Sequence, residues 1–209
     1  MQRKPYKIIF QGDSITDCNR DYSCPQPNQL LGNGYVALLA AALLSEYPER
    51  NIEIYNRGVS GNRVVDLYSR WKIDTLNLRP DFLSILIGVN DTWHEFELNN
   101  GVEVPRYQRI YRELLCWTKE TLPQCKILLI APFAATFGVV TESWRKDIAA
   151  RQKVVRELAN EFDLLYVPES WLEKALQDAP ANYWLQDGVH PTYAGHARLA
   201  QAWREVACF

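Results

Sequence analysis

The fold class is decided by one short stretch, Phe82-Leu83-Ser84-Ile85-Leu86-Ile87, in which Ser84 is the only polar residue. A continuous apolar run of this length is typical of a strand that is buried on both faces, as in a parallel sheet covered by helices. Other short apolar stretches share this character and alternate with helical patterns. The predicted strands are residues 7–11, 52–56, 82–87, 126–130 and 164–167, and the predicted helices are residues 35–47, 64–76, 106–121, 144–162 and 193–206.

The alternation of strands and helices continues along the whole sequence. Apolar strands separated by helices predict a parallel sheet with helices on both faces and right-handed crossovers. No repeat, low-complexity tract or flexible linker interrupts the pattern, so we expect residues 1–209 to form a single domain. The predicted fold is α/β, a three-layer α/β/α sandwich with a five-stranded parallel sheet, in which ligands bind beyond the carboxyl ends of the strands.

The composition is that of an ordinary soluble globular protein, with 47% hydrophobic and 23% charged residues. The formal net charge is -2, and the basic residues are scattered, without the one-sided clustering that binding to a phosphate backbone requires. No apolar stretch approaches the roughly 20 residues of a membrane span, and the sequence after Met1 lacks the apolar run of a secretory signal. We therefore expect a cytoplasmic protein that binds neither nucleic acid nor membranes.

The cysteines and histidines give little support for a metal site. The five cysteines are odd in number and lack the pair spacing of metal ligands, so free thiols in a reducing compartment are expected. His94, Glu95 and Glu97 lie close together in sequence, but a chain with three histidines leaves few ligands for zinc. We expect no metal, and no dinucleotide or phosphate-binding fingerprint follows a predicted strand.

A candidate nucleophile follows the first predicted strand, in the motif Gly12-Asp13-Ser14-Ile15-Thr16-Asp17. Glycine permits a tight turn, which would leave Ser14 exposed to a ligand at the carboxyl edge of the sheet. The same residue types are common in turns and helix caps, so the motif alone does not establish catalysis.

Two further segments after predicted strands could supply hydrogen-bond donors. Gly58 and Gly61 lie just before a predicted helix, where exposed backbone N–H groups favour negative charge. Asn90 follows the apolar stretch and offers a neutral side-chain donor at the edge of the sheet. Each segment also has an ordinary explanation, as a loop glycine with positive φ or as an Asn-Asp turn pair.

A candidate base is predicted from the spacing of Asp187 and His190 in a polar loop. An aspartate three residues before a histidine can accept the imidazole Nδ1–H within one turn, which leaves Nε2 free to take a proton from a hydroxyl. A plain surface turn explains this segment taken alone. Together with Ser14 it supplies a nucleophile, a base and a group that orients the base, and Gly61 and Asn90 add oxyanion donors.

These motifs resemble those of the SGNH, or GDSL, hydrolases, which are named for a serine, a glycine, an asparagine and a histidine in four sequence blocks. The resemblance extends from residue 12 to residue 191 and implies a flavodoxin-like SGNH hydrolase fold. It implies that the catalytic residues are Ser14, Asp187 and His190, and that the oxyanion hole is formed by Ser14, Gly61 and Asn90. The sequence has Ile15 where the family name has leucine, which is an apolar exchange.

Further stretches are similar to the intracellular acetylxylan esterases of this superfamily. They are residues 12–18, 32–36, 66–67, 70–71, 88–93 and 187–191. The resemblance implies a serine carbohydrate esterase that removes acetyl groups from xylo-oligosaccharides or related sugars through an acyl-enzyme, without a cofactor. The expected partners are a small acetylated saccharide as the substrate and other copies of the chain in a homo-oligomer.

Asp13 and Trp93 are the expected substrate-binding residues. Trp93 follows the Asn90 segment and could stack on a sugar face or line the acyl pocket, although packing explains it equally well. One alternative is a lysophospholipase, a thioesterase or a general short-chain carboxylesterase of the same superfamily. A long acyl chain would need a deep apolar groove, which the polar segments around Ser14 and Asn90 do not indicate. The other alternative is a non-catalytic carbohydrate-binding relative, against which the intact candidate triad argues.

Overall fold

The structure is a computed structural model and describes residues 4–209, in which strands and helices alternate as predicted. Within these residues the five strands are β1 (Tyr6–Gly12), β2 (Ile52–Gly58), β3 (Phe82–Leu86), β4 (Lys126–Ile130) and β5 (Leu165–Val167). The nine α-helices of the same range are α1 (Ser14–Asp17), α2 (Tyr35–Glu46), α3 (Val64–Asp74), α4 (Val89–Leu98), α5 (Val104–Thr121), α6 (Glu142–Glu161), α7 (Ser170–Asp178), α8 (Ala181–Trp184) and α9 (Tyr193–Ala207). Two short 3-10 helices cover Pro48–Arg50 and Leu76–Leu78.

The five strands form one parallel sheet in the order β2-β1-β3-β4-β5. The chain runs from β1 outward to β2 and then returns to place β3 on the other side of β1. In open parallel sheets this reversal creates a crevice beyond the carboxyl ends of the two central strands, here β1 and β3. The predicted flavodoxin-like α/β fold is confirmed.

Alternate residues of each strand face opposite helical layers. In β3, Phe82 and Leu86 join the core formed with α2, α7 and α9, whereas Leu83 and Ile85 join the core formed with α3 and α5. All five residues of β3 are buried, because helices cover both faces of the sheet at this position. The apolar run that predicted the fold therefore occupies the middle of the sheet.

Ser84 is the one polar side chain inside that run, and the structure explains why it is tolerated. It is completely buried, and its Oγ accepts the indole N–H of Trp203 from α9 at 3.0 Å. A buried hydroxyl without a partner would be costly, as would a buried indole N–H. The bond therefore satisfies both groups and joins α9 to the centre of the sheet.

Some helices differ from the prediction. The sequence pattern did not reveal α1, α7 or α8, and α4 begins at Val89, where a loop was expected. Helices of four residues, such as α1 and α8, are too short to show a helical period. The first turn of α4 contains Asn90 and Asp91, which are buried polar residues and therefore look like a turn in sequence. Among residues 4–209, no helix combines the length and apolar character that crossing a membrane requires.

Candidate active site

Ser14 begins α1, directly after β1. Asp13 caps this short helix, because its side chain accepts the N–H of Ile15 at 3.0 Å. The helix is closed by the N–H of Cys18, which donates to the carbonyl of Ser14 at 2.9 Å. N–H groups in the first turn of a helix have no intrahelical acceptor, so the backbone N–H of Ser14 is available to donate a hydrogen bond to a ligand. The residue is half-buried at the carboxyl edge of the sheet.

Three side chains from opposite ends of the chain form a continuous line of hydrogen bonds. Ser14 Oγ lies 2.9 Å from His190 Nε2, and His190 Nδ1 lies 2.7 Å from Asp187 Oδ2. The second carboxylate oxygen of Asp187 accepts the backbone N–H of Val189 at 2.9 Å and that of His190 at 2.8 Å. These bonds fix the carboxylate, which in turn holds the imidazole with Nε2 against the Ser14 hydroxyl.

The electrostatics of this line favour an ionised Asp187. Burial disfavours the charged carboxylate, but the hydrogen bonds from the backbone and side chain of His190 and from the backbone of Val189 outweigh it and lower the pKa of Asp187. An ionised carboxylate selects the imidazole tautomer that carries its proton on Nδ1. The lone pair of Nε2 is then free for the proton of the Ser14 hydroxyl.

The segment after β4 supports the loop that carries Asp187 and His190. The N–H of Ala135 donates to the carbonyl of Gly188 at 2.9 Å, and the N–H of Val139 donates to the carbonyl of Asp187 at 3.0 Å. The N–H of Gln186 closes the loop on itself by donating to the carbonyl of His190 at 2.7 Å. Backbone bonds thus hold the base and its carboxylate in place.

Gly61 lies in a tight turn between β2 and α3. The N–H of Asn62 donates to the carbonyl of Val59 at 3.1 Å, and Gly61 has a φ of +80°. This combination defines a type II turn, which requires positive φ at its third residue and therefore favours glycine. The N–H of Gly61, the third residue, takes no part in the bond that closes the turn, so it is available to donate a hydrogen bond to a ligand.

Asn90 lies in the first turn of α4 and is linked to the same turn. Its side chain is buried, and Nδ2 donates to the carbonyl of Asn62 at 3.1 Å. An amide nitrogen carries two hydrogens, so a second N–H remains for a ligand. The sheet register pairs Gly12 with both Gly58 and Leu86, so the segments that carry the nucleophile and the two candidate oxyanion donors leave the sheet at one edge.

Asp13, a predicted substrate-binding residue, lies beneath the nucleophile. Its side chain is completely buried, and it caps α1 underneath Ser14. Burial raises the pKa of Asp13 to about 7, with the nearby carboxylates of Asp91 and Asp17 adding to the effect. In this conformation the contact that the side chain makes is the cap of α1, and substrate binding by Asp13 stays a prediction.

Trp93 reaches the site from α4. Its ring centroid lies 5.7 Å from that of His190 and 5.2 Å from that of Trp144, and the residue is half-buried. The ring therefore combines core packing with contact to the imidazole. Both interpretations considered for Trp93 are compatible with this position.

Asp91 is a supporting residue that the sequence analysis missed. Its side chain is completely buried, and both carboxylate oxygens lie 3.1 Å from the N–H of Val64, which begins α3. The bond ties the start of α3 to the first turn of α4 and so holds Asn90 near the turn of Gly61. In sequence the Asn90-Asp91 pair looks like a loop turn, and no signal in the sequence distinguished a loop turn from the first turn of a helix.

The other candidate ligands form no metal site. Within the described part of the chain, no three His, Cys, Asp or Glu side chains converge in a group that could hold a metal ion. His196 is buried on α9, where Nδ1 accepts the N–H of Tyr35 at 3.1 Å, and burial lowers the pKa of its imidazole to about 4. All five cysteines are free.

Comparison with known proteins gives a consistent family assignment. Residues 10–198 match the GDSL-like lipase/acylhydrolase family. The chain is 36% identical to an acetylxylan esterase from Geobacillus stearothermophilus, over 96% of this chain and 93% of that protein. A solved structure of a GDSL-like lipase from Parabacteroides merdae has a TM-score of 0.93 at 42% identity, covering 97% of this chain and 95% of that one. A crystal structure of the Geobacillus acetylxylan esterase has a TM-score of 0.89 at 34% identity, covering 97% and 94%.

Structures of variants of that esterase carry substitutions at the residue types of the candidate triad. Three of them, with a serine, an aspartate or a histidine replaced by alanine, are described as catalytic mutants. The aspartate precedes the histidine by three residues in that protein, which is the spacing of Asp187 and His190 here. The chain therefore belongs to the GDSL-like lipase/acylhydrolase family, and the predicted ester-hydrolase class is confirmed at the level of that family.

Proposed function

We propose that the chain is a serine acetylesterase that removes acetyl groups from acetylated xylo-oligosaccharides or related sugars. The proposal depends above all on one observation, the 2.9 Å contact between Ser14 Oγ and a His190 ring that Asp187 orients. Such an arrangement can deprotonate a hydroxyl and later return the proton to a leaving group. The acetylxylan esterase relative, with its catalytic serine, aspartate and histidine, supports these roles and this substrate class.

The proposed reaction begins with acylation of Ser14. His190 Nε2 takes the hydroxyl proton as Oγ attacks the ester carbonyl carbon, and the carboxylate of Asp187 stabilises the imidazolium that forms. The tetrahedral oxyanion accepts hydrogen bonds from the backbone N–H groups of Ser14 and Gly61 and from Asn90 Nδ2. His190 then gives its proton to the sugar oxygen as the ester C–O bond breaks, which leaves an acetyl group on Ser14.

Water completes the proposed cycle. His190 accepts a proton from the water molecule as its oxygen attacks the acetyl carbonyl, and the same donors hold the second oxyanion. Collapse of this intermediate breaks the bond to Ser14 Oγ, which recovers its proton from His190, and acetate leaves. The residues of the chain suffice for every step, so the proposal includes no cofactor.

Replacement of Asn90 by alanine should lower kcat for acetyl-ester hydrolysis by about a hundredfold or more, with a smaller effect on KM. Its second N–H is proposed to bond most strongly when negative charge develops on the carbonyl oxygen. Steady-state kinetics of the purified variant would measure both constants. Asn100→Ala is a matched control, because Asn100 is exposed just beyond α4 and should leave kcat near the wild-type value. A change confined to KM would instead make Asn90 a substrate-binding residue.

The substrate class is tested by comparing acetylated xylose and xylo-oligosaccharides with octanoyl esters, acyl thioesters and a lysophospholipid. We expect acetate release from the saccharides with a kcat/KM at least about tenfold above that for the octanoyl esters, a margin of more than about 1.4 kcal/mol in transition-state stabilisation. Preference for the long-chain substrates would support a lipid- or thioester-cleaving enzyme instead. If no substrate is hydrolysed and a fluorophosphonate fails to label Ser14, the result would support a non-catalytic carbohydrate-binding protein instead.

Three further properties belong to the proposal. Residues 1–209 are proposed to act as one SGNH hydrolase domain, since the family match extends over residues 10–198. The cytoplasmic location and the homo-oligomer stay predictions. Size-exclusion chromatography with light scattering would measure the oligomeric state.

A further inference from the structure

Asp17, the last residue of α1, has a buried carboxylate that accepts two hydrogen bonds from Ser60 and two more from Tyr22 and Arg20. Its Oδ2 accepts the hydroxyl of Ser60 at 2.6 Å and the backbone N–H of Ser60 at 3.1 Å. The same oxygen accepts the phenol hydroxyl of Tyr22 at 2.5 Å, and Oδ1 accepts the backbone N–H of Arg20 at 3.2 Å. Only 3% of the Asp17 surface is exposed, so these charge-assisted bonds lie largely out of water.

The two bonds to Ser60 act on the turn that presents the Gly61 amide. Ser60 is the second residue of that turn, and its carbonyl belongs to the same peptide unit as the N–H of Gly61. The N–H and side-chain bonds of Ser60 orient its Cα, and the bond from the N–H of Asn62 to the carbonyl of Val59 closes the turn, so this peptide unit is held between two fixed points. Packing gives little help at Gly61, since among the described residues other than Ser60, Gly61 and Asn62 no atom lies within 4 Å of a Cβ built on it.

Asp17 also shares a rigid frame with the nucleophile. The four-residue helix α1 begins with Ser14 and ends with Asp17, whose own N–H donates to the carbonyl of Asp13 at 2.8 Å. Beside it, β2 approaches so closely that a Cβ on Gly58 would overlap the backbone nitrogen of Asp17. The side chain of Asn56 adds hydrogen bonds from β2 to the backbone of α1. The nucleophile and the anchor of the turn thus belong to one packed unit.

Tyr22 covers the carboxylate from the outside. The guanidinium of Arg20 lies 4.0 Å from the centroid of the Tyr22 ring, and its Nε donates to the carbonyl of Gly58 at 2.7 Å. The phenol oxygen of Tyr22 also accepts the backbone N–H of Ser60 at 3.4 Å, so Tyr22 contacts the turn of Gly61 directly. Asp21 offers a matched control, because it is exposed and its carboxylate accepts the N–H and the hydroxyl of Ser23, away from Ser60.

We propose that Asp17 is a positioning residue for the oxyanion hole: through Ser60, it holds the amide of Gly61 at a fixed place relative to Ser14 Oγ. The inference rests on the proposed function, since the amide of Gly61 is assigned there to the oxyanion. Asp17 touches no reacting atom. Its contribution is to set in advance the direction of a donor that would otherwise have to be oriented during the reaction.

Asp17→Asn keeps the shape of the side chain but replaces one acceptor oxygen with an NH2 group and removes the charge. It should lower kcat by about tenfold to a hundredfold while KM changes by less than about twofold, because the donor is lost mainly in the transition state. Ser60→Ala removes one of the two bonds and should lower kcat by a smaller factor of about three to ten. Asp21→Asn should remain within about twofold of the wild type, because Asp21 is exposed and its bonds are to Ser23.

A second measurement separates positioning from a general structural effect. Methylboronic acid can form a tetrahedral adduct on Ser14 that places an oxygen in the oxyanion hole, whereas acetate, the product, forms no such adduct. The affinity for methylboronic acid should fall in Asp17→Asn and Ser60→Ala by about the same factor as kcat/KM, and the affinity for acetate should not change. A shared loss of both affinities, or a loss of neither in a folded variant, would overturn the proposal.

The controls distinguish failure of the proposed esterase function from failure of the proposed role of Asp17. Thermal unfolding reports whether each variant is folded, and if Asp17→Asn is not, the same two readouts on Ser60→Ala decide the question. A wild-type protein that hydrolyses no acetyl ester would contradict the proposed function itself. An active wild type with an unaffected, folded Asp17→Asn variant would contradict only the positioning role of Asp17.

Discussion

Replacement of Ser14 by alanine should lower kcat for acetyl-ester hydrolysis by at least about a thousandfold, since triad enzymes lose this much when the nucleophile is removed. The variant lacks the Oγ that lies 2.9 Å from His190 Nε2 and would form the bond to the acetyl group. The fold should persist, because Ser14 is half-buried and its hydroxyl contributes little apolar packing. Acetate release gives the rate, and the thermal unfolding midpoint shows whether the fold is intact.

Ser45→Ala is the matched control for this experiment. Ser45 is exposed on α2, so its replacement should leave both the rate and the unfolding midpoint near wild-type values. A fluorophosphonate should label the wild type and Ser45→Ala but not Ser14→Ala. Hydrolysis by Ser14→Ala close to the wild-type rate would contradict the whole catalytic assignment.

Replacement of Asp187 by asparagine should lower kcat by about a thousandfold to ten-thousandfold, because the amide can stabilise the wrong tautomer of the imidazole. In the wild type the carboxylate accepts the Nδ1 proton at 2.7 Å and two backbone N–H groups on its other oxygen. An asparagine side chain keeps only one acceptor oxygen for these three donors. Steady-state kinetics of the wild type, Asp187→Asn and the surface control Asp178→Asn would measure the effect.

The pH dependence of the wild type follows from the same carboxylate. Its pKa lies below the ordinary value, so Asp187 stays ionised as the pH falls toward the mildly acidic range and should add no step of its own near neutrality. We expect kcat/KM to rise with pH, because only the neutral imidazole of His190 accepts the Ser14 proton. His190→Ala should abolish that rise along with most of the activity. Unchanged kinetics in Asp187→Asn would mean that another group orients His190.

The strands were readily predicted from the sequence because helices cover both faces of the sheet. Burial on both faces produces continuous apolar runs, and for β4 the predicted bounds, residues 126–130, coincide with the observed strand. The start of α4 was harder to predict, because Asn90 and Asp91 are buried polar residues whose partners lie on other elements. A local pattern cannot show bonds of that kind.

The same difference between local and long-range contacts decides which parts of the candidate site could be predicted. The relation of Asp187 to His190 is local, within a single turn of the chain, so sequence spacing was enough to predict it. The bonds from Ser60 to Asp17 join residues 43 positions apart, and they depend on how β2 packs beside β1. The inward direction of the Asp13 side chain, which caps α1, was likewise not visible in the sequence motif.

The separation of Ser14 from His190 along the chain has a consequence for the timing of activity during synthesis. The two residues are 176 positions apart, so at ribosomal speeds of about 5–20 residues per second the proposed nucleophile precedes its base by roughly 9 to 35 seconds. During that interval β1, β2 and β3 can assemble around Ser14, but the imidazole of His190 is not yet present to activate it. Nascent chains stalled before residue 187 should therefore be inert toward esters, and hydrolysis should begin only once α9 has emerged and docked through Trp203.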